Sequence, residues 1–170
     1  PDALLQTILS RFRVLTAADA GFIWLANPGE DGEPERLTLS VAQNDTTPVD
    51  PAGLWVPWDG EDVVAYVART RQTVRLHDCR RLPQRAPYGF DDRLDRRSGY
   101  RSVSVLTIPM VPRTGELVGV IQLVNRKRSS EVALGRDGDD AGAWPGTRPT
   151  GASYGASSSE GQAAHGGLVD

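Results

Sequence analysis

His77, Asp78 and Cys79 stand together in the chain, and an imidazole near a thiol is the pairing from which nucleophilic catalysis or a metal site is built. Their spacing argues against both. A catalytic pair needs side chains that converge under a group orienting the base, and residues two apart on an extended segment point the same way without one. The other histidine, His165, lies far along the chain, and Cys79 is the one cysteine, so there is neither a third ligand at suitable spacing nor an internal disulfide. No glycine-rich loop appears that would cradle a phosphate, and no carboxylate pair is spaced for acid–base work. The residue types therefore point away from an enzyme. Trp55 and Trp58 flank Pro57 and would serve as an aromatic wall for a ligand or, more commonly for such large side chains, as filling at the edge of a core.

The 170 residues carry a formal net charge of −3 and are 39% hydrophobic, enough for one domain with a real core plus a tail. The run Arg80, Arg81, Arg85, Arg93, Arg96, Arg97 and Arg101 is interleaved with Asp91, Asp92 and Asp95, which reads as a solvated surface rather than a nucleic-acid footprint. A lone cysteine fits a reducing compartment, so the expected location is cytoplasmic. No apolar run approaches the roughly 20 residues that cross a bilayer, and Pro1-Asp2 lacks the layout of a signal peptide, so no membrane association is expected.

The elements that must position any site follow from periodicity. Leu4, Leu5, Ile8, Leu9, Phe12 and Leu15 form one stripe of a helix over about residues 3–15. Residues 21–26 are short, apolar and aromatic and end at Asn27-Pro28-Gly29, as a strand does; Leu37, Leu39 and Val41 alternate with Thr38 and Ser40, as a strand with one buried face requires. Asp59-Gly60-Glu61-Asp62 supplies a cap and an acidic first turn for a helix carrying Val63, Val64, Val67 and Ala68. A short strand over 73–76 follows. Residues 77–97 form an irregular polar crossing with a helical turn near 91–96, and residues 102–110 and 116–125 make a β-hairpin closed by Val111-Pro112-Arg113-Thr114-Gly115. After Lys127 the composition turns to Gly, Ala, Ser, Asp and Pro, too poor in large apolar residues to offset ordering costs of about 1–2 kcal/mol per residue. The expected organisation is a folded domain over 1–127 and a low-complexity, disordered tail over 128–170. The element order fits an α+β domain with a largely antiparallel sheet.

The stretch from Phe90 to Ser102, with its Ser98-Gly99-Tyr100-Arg101 turn, runs into Val105-Leu106-Thr107-Ile108-Pro109-Met110 and then Gly115 to Asn125. This resembles GAF domains, in particular those of cyclic-nucleotide phosphodiesterases, adenylate cyclases and bacterial HD-type phosphohydrolases, over roughly residues 3–127. The resemblance implies a PAS-related central antiparallel sheet flanked by helices. On physical grounds Gly99 allows a sharp turn, Gly115 lets the hairpin close and Gly119 permits close backbone approach. Tyr100 then covers a core edge, and Arg101 pairs with a nearby aspartate.

What the resemblance implies for function is a regulatory, small-molecule-binding module that controls an attached output domain, with a cyclic nucleotide as a candidate ligand and no other cofactor. The positions that resemble ligand contacts in the family are Asp95, Ser98 and Ser102 in the crossing, the backbone N–H groups of Val63 and Val64 at a helix start, and Gln122 on the last strand. Gly21, Ala42 and Gln43 depart from the pattern where a base-reading hydroxyl and an aromatic–Asp pair are usual, and Asp62 stands where a glycine is usual. The alternative is a degenerate domain serving as a dimerisation or scaffold module. The small methionine sulfoxide reductases of the family use several cysteines, bilin binders place a cysteine before a histidine, and haem binders need an isolated axial histidine; none of these patterns is present. The long last helix usual in the family is also missing, which would leave the stripe on the first helix without its partner and predicts a homodimer.

Overall fold

The computed structural model describes residues 2–127. The reading of 128–170 as a disordered tail lies outside the described residues. Helix α1 spans Asp2–Thr16, followed by β1 (Ala18–Pro28), β2 (Pro34–Asn44), β3 (Trp55–Pro57), α2 (Val63–Thr70), β4 (Val74–Leu76), α3 (Arg93–Ser98), β5 (Val105–Met110) and β6 (Gly119–Arg126). The strands form one six-stranded sheet in the order β3-β2-β1-β6-β5-β4, antiparallel at every junction. The expected α+β class and antiparallel sheet are what the chain forms. Strand β3, with a buried Val56 between two exposed neighbours, is an element that the Pro57 between two tryptophans concealed.

Alternation along the central strands gives the sheet two apolar faces. Phe22 and Trp24 of β1, Val120 and Val124 of β6 and Val105 of β5 join Val63, Val64 and Val67 of α2 in one core. Ile23, Leu106, Ile121 and Leu123 point the other way and meet Leu9 of α1. Each large side chain buried here contributes roughly 1.5–3 kcal/mol. Leu5, Ile8 and Phe12 also pack on the second face, so most of the α1 stripe already has a partner in the chain's own sheet. Leu4, at 65% exposure, is left outside.

Strand β2 departs from the single buried face that its alternation predicts. A register shift lies between Ile23 and Trp24, so that Trp24 opposes Leu39 while Ile23 opposes Val41. The extra residue reverses the facing of everything beyond it. Leu37 and Leu39 therefore join the α2 face, and Val41 joins the α1 face.

The cap of α2 is as expected: the Asp62 carboxylate accepts from Val64 N at 2.7 Å. The acidic first turn is not formed, because Asp59 and Glu61 precede the helix and its first turn holds no acid. At the C-terminal end of α1, Arg13 and Lys127 both pair with Asp45, at 2.5 and 2.6 Å, and together hold its carboxyl down at about 2.

Gly119 begins β6 where the backbones of β1 and β6 pass closest. A Cβ there would lie 2.1 Å from the carbonyl oxygen of Trp24 and 2.9 Å from Met110 Cε. Gly115 turns the hairpin at φ +85° with nothing within 4 Å of a Cβ. Gly119→Ala is expected to cost about 3 kcal/mol or more, because a strand backbone must move, whereas Gly115→Ala costs about 1 kcal/mol of backbone strain. Urea denaturation of the two variants side by side checks the ranking.

Candidate functional site

Between the α2 face of the sheet and the crossing lies a cleft. Its floor is Phe22 and Trp24 of β1 with Gln122 and Val124 of β6; Leu54, Val56, Asp62 and Val64 form one wall, and Phe90, Asp91, Arg93, Leu94, Asp95 and Ser102 the other. The cavity is about 20 Å³, within a wider space between atoms of about 440 Å³ that includes its opening to solvent. As it stands the cavity has room for a water molecule.

The crossing is held over the sheet by one charged clamp. Asp95, 6% exposed, accepts from Arg80 Nη2 at 2.6 Å, from Ser102 N at 2.9 Å and from Ser102 Oγ at 2.7 Å. Arg80 Nε reaches the Ser102 carbonyl at 3.1 Å. The partner of this aspartate is therefore Arg80. Arg101, expected to pair with an aspartate, has no ion pair among the described residues and instead offers its carbonyl to Asn125 Nδ2 at 2.7 Å. Gly99 ends α3 at φ 73°, with its N–H on the Asp95 carbonyl. This left-handed turn delivers Tyr100 into a second network. The Tyr100 hydroxyl donates to Asp19 Oδ2 at 2.8 Å and accepts from Asn125 Nδ2 at 2.9 Å; burial and the Asp19 carboxylate push its phenol well above the usual range.

Asp95, Ser102, Gln122 and Val64 all line the cleft. Asp95 and Ser102, however, satisfy each other. The two helix-start amides are also engaged, Val64 N by Asp62 and Val63 N by the Gly89 carbonyl at 2.9 Å. Ser98 lies apart: it lines a separate surface depression with Pro48, Val49 and Asp50, and its hydroxyl donates to the Leu94 carbonyl at 2.7 Å. Gly21 also points away from the cleft, since a Cβ there would meet Leu9 and Arg13 of α1. Gln43 likewise bonds to Gln6 and Arg13 on α1.

Among the described residues, one polar group on the floor of the cleft is buried without a partner. Trp24 Nε1 is buried and has no hydrogen-bond partner among the described residues. Gln122, 5% exposed, stands beside it on the floor, and its carboxamide is not among the fully buried unpartnered groups. The other buried unpartnered atoms, on Arg13, Asn27, Asn44 and Thr107, belong to residues outside the cleft lining. Buried polar groups are nearly always hydrogen-bonded, so one on the floor of a cleft calls for an explanation. Gln122 lies opposite Phe22 in the ladder, which puts it diagonal to Trp24 on the same face. Sequence reading missed Phe22, Trp24 and Phe90 here; the available signal was the spacing of the two aromatics, two apart on a strand and thus on one face.

The Cys79 thiol is buried, and desolvation, assisted by the Asp95 carboxylate, raises its pKa to about 12, which leaves it an unreactive thiol. His77 Nε2 lies 2.7 Å from Arg75 Nη2. Trp55 is 47% exposed and Trp58 packs partly against the core, so neither tryptophan walls the cleft. Asp62 does wall it. Burial raises its carboxyl above the usual range despite bonds from Val64 N and Asp91 N.

The clamp predicts that Asp95→Ala destabilises the domain with no ligand present. Removing the carboxylate strands two donors on Ser102 and Arg80, at an expected cost of about 2–4 kcal/mol. Urea unfolding of the ligand-free variant measures it, and wild-type stability would show that the clamp carries no weight.

The description "GAF domain" matches residues 1–137. Over 77 residues the chain is 34% identical to the dual 3′,5′-cyclic-AMP and -GMP phosphodiesterase 11A of Takifugu rubripes, covering 45% of this chain and 8% of that protein. It is 25% identical over 135 residues to the cGMP-specific 3′,5′-cyclic phosphodiesterase of Drosophila melanogaster, covering 74% of this chain and 11% of that one. The chain thus spans about a tenth of the length of these relatives. Among solved structures, residues 122 to 287 of a methyl-accepting chemotaxis protein share the fold, with a TM-score of 0.57, 23% identity and coverage of 74% and 72% of the two chains. No helix among the described residues is long and apolar enough to cross a membrane. With its sheet order, crossing and hairpin in place and most of its length matched, this chain belongs to the GAF domain family.

Proposed function

We propose that the domain is a cytoplasmic, non-enzymatic sensor whose cleft takes a small molecule and whose occupancy biases an attached output domain. One observation carries this reading: the Trp24 indole N–H is buried without a partner on the floor of an aromatic cleft that Gln122 also lines. Leaving the indole N–H unsatisfied costs roughly 1–3 kcal/mol, a cost that a ligand removes. Gln122 is the direct contact in this reading. Asp95 and Ser102 frame the wall, Val63 and Val64 offer their amides only if Asp62 and Gly89 release them, and Ser98 supports the turn into Tyr100. Cyclic AMP and cyclic GMP are the first ligands to test, given the phosphodiesterases among the relatives.

A cavity of about 20 Å³ admits such a molecule only when the crossing wall from Phe90 to Leu94 swings outward. That movement would pull on Tyr100, whose hydroxyl ties the crossing to Asp19 and Asn125. Lys127, 3.6 Å from Asp19, then carries the change to the point where the chain leaves the sheet. A ligand shifts this balance by as much as it prefers the open form. The same small cavity and the internally satisfied Asp95–Ser102 pair favour the second reading, a scaffold whose cleft stays closed.

The two readings part on Gln122→Leu, a near-isosteric change. In the sensor reading the ligand-free variant is as stable as wild type or about 1 kcal/mol more stable, and the saturable rise in Tm given by a cyclic nucleotide or a panel metabolite is lost. No rise in wild-type Tm with any compound supports the scaffold. Homodimerisation is also part of the proposal, through Leu4 and Leu15. These are 65% and 78% exposed and stand three turns apart on one line of α1. Sedimentation of the full chain is expected to give a dimer that Leu4→Glu with Leu15→Glu converts to a monomer; a monomeric wild type at high concentration ends that part of the reading.

A further inference from the structure

The start of α2 is the end of the cleft where an anion would be held, since a helix N-terminus presents free amides and a partial positive charge. In this chain the place is taken. Asp62 Oδ1 accepts from Val64 N at 2.7 Å and Oδ2 from Asp91 N at 2.9 Å. Val63 N is engaged by Gly89, whose own N–H reaches the Glu61 carbonyl at 2.6 Å. The charged side chains lining the cleft are Asp62, Asp91, Asp95 and Arg93. Arg80 pairs with Asp95, and Arg93 has its Nε on Asp91 at 2.5 Å and its Nη2 on the Trp55 carbonyl at 2.9 Å, so the carboxylate left without an ion pair is that of Asp62. An entering phosphate would displace the helix cap and meet the Asp62 carboxylate at close range, where like charges repel strongly outside bulk water.

The floor has the opposite character. Phe22 and Trp24 present aromatic surface, Phe90 adds another ring from the crossing, and flat π systems are what such surfaces stack on. The Gln122 carboxamide offers a donor beside an acceptor. That arrangement matches the paired donor and acceptor on the edge of a nucleobase, the match by which glutamine grips adenine bidentately. The Trp24 N–H supplies one further donor.

We infer that the cleft selects an uncharged planar heterocycle with a paired donor–acceptor edge, a free base or nucleoside, and rejects the phosphorylated form of the same molecule. This rests on the reading of the cleft as a ligand site, and it narrows that reading by charge.

Calorimetric titration of the full chain with adenosine, guanosine, cyclic AMP and cyclic GMP tests it. A nucleoside is expected to bind at least tenfold more tightly than its own cyclic nucleotide. Asp62→Asn, which keeps an acceptor for Val64 N, narrows that gap, and Asp91→Asn gives a second removal of charge should the first fail to fold. Gln122→Leu weakens the nucleoside at least tenfold while circular dichroism stays unchanged. A cyclic nucleotide that binds as tightly as its nucleoside overturns the selection by charge and leaves the sensor reading standing. Nucleoside binding untouched by Gln122→Leu overturns the assignment of the contact. Failure of all four compounds to bind overturns this inference, and with a flat response across the metabolite panel the sensor reading falls too.

Discussion

Strands β1 and β6 lie side by side in the middle of the sheet and must bury both of their faces. Their residues are accordingly apolar almost without interruption, and Gly119 has no side chain because the carbonyl of Trp24 passes through the space one would fill. Everything else is arranged around this pair. Helix α1 covers one face through Leu9, Leu5, Ile8 and Phe12; α2 and the crossing cover the other. The hairpin turn at Gly115 and the bulge opposite Ile23 and Trp24 fix which residues of β5 and β2 fall on which side.

The crossing has little regular structure; Leu82, Tyr88, Phe90 and Leu94 pack it against the core, and charge and hydrogen bonds hold it in place. Asp95 draws Arg80 and Ser102 together on one side, Asp62 ties α2 to Asp91, and Tyr100 fastens the far end to Asp19 and Asn125. These bonds are worth more than their surface equivalents because they are partly or wholly buried and several share one carboxylate. They also explain how a cleft exists at all. The polar anchors stand at the margins of the crossing, and Gln122 and Trp24 line the floor beneath it.

The same anchors change how the site is understood. Four of the six positions drawn from the family resemblance line the cleft, by side chain or, for Val64, as part of its wall. Most of their polar groups nevertheless bond within the protein, which makes them framework. The groups with bonding capacity to spare come from the aromatic floor. In this chain the helix start that would suit a phosphate carries a carboxylate.

Sequence periodicity alone determined the long helix and strands, because burial of an amphipathic stripe or an alternating strand is written into the order of residues. Asp62 as a cap, Gly99 and Gly115 as left-handed turns and Gly119 as a close approach were legible for the same local reason. The tertiary structure decided what depends on residues distant in the chain. Val41 turns to the α1 face because of a bulge that only pairing with β1 creates. Arg80 rather than Arg101 reaches Asp95 because the crossing folds back on itself, and β3 exists because the edge of β2 is there to receive it. Whether a serine or an amide contacts a ligand or merely completes an internal bond is a question of what stands opposite, and no local pattern encodes that.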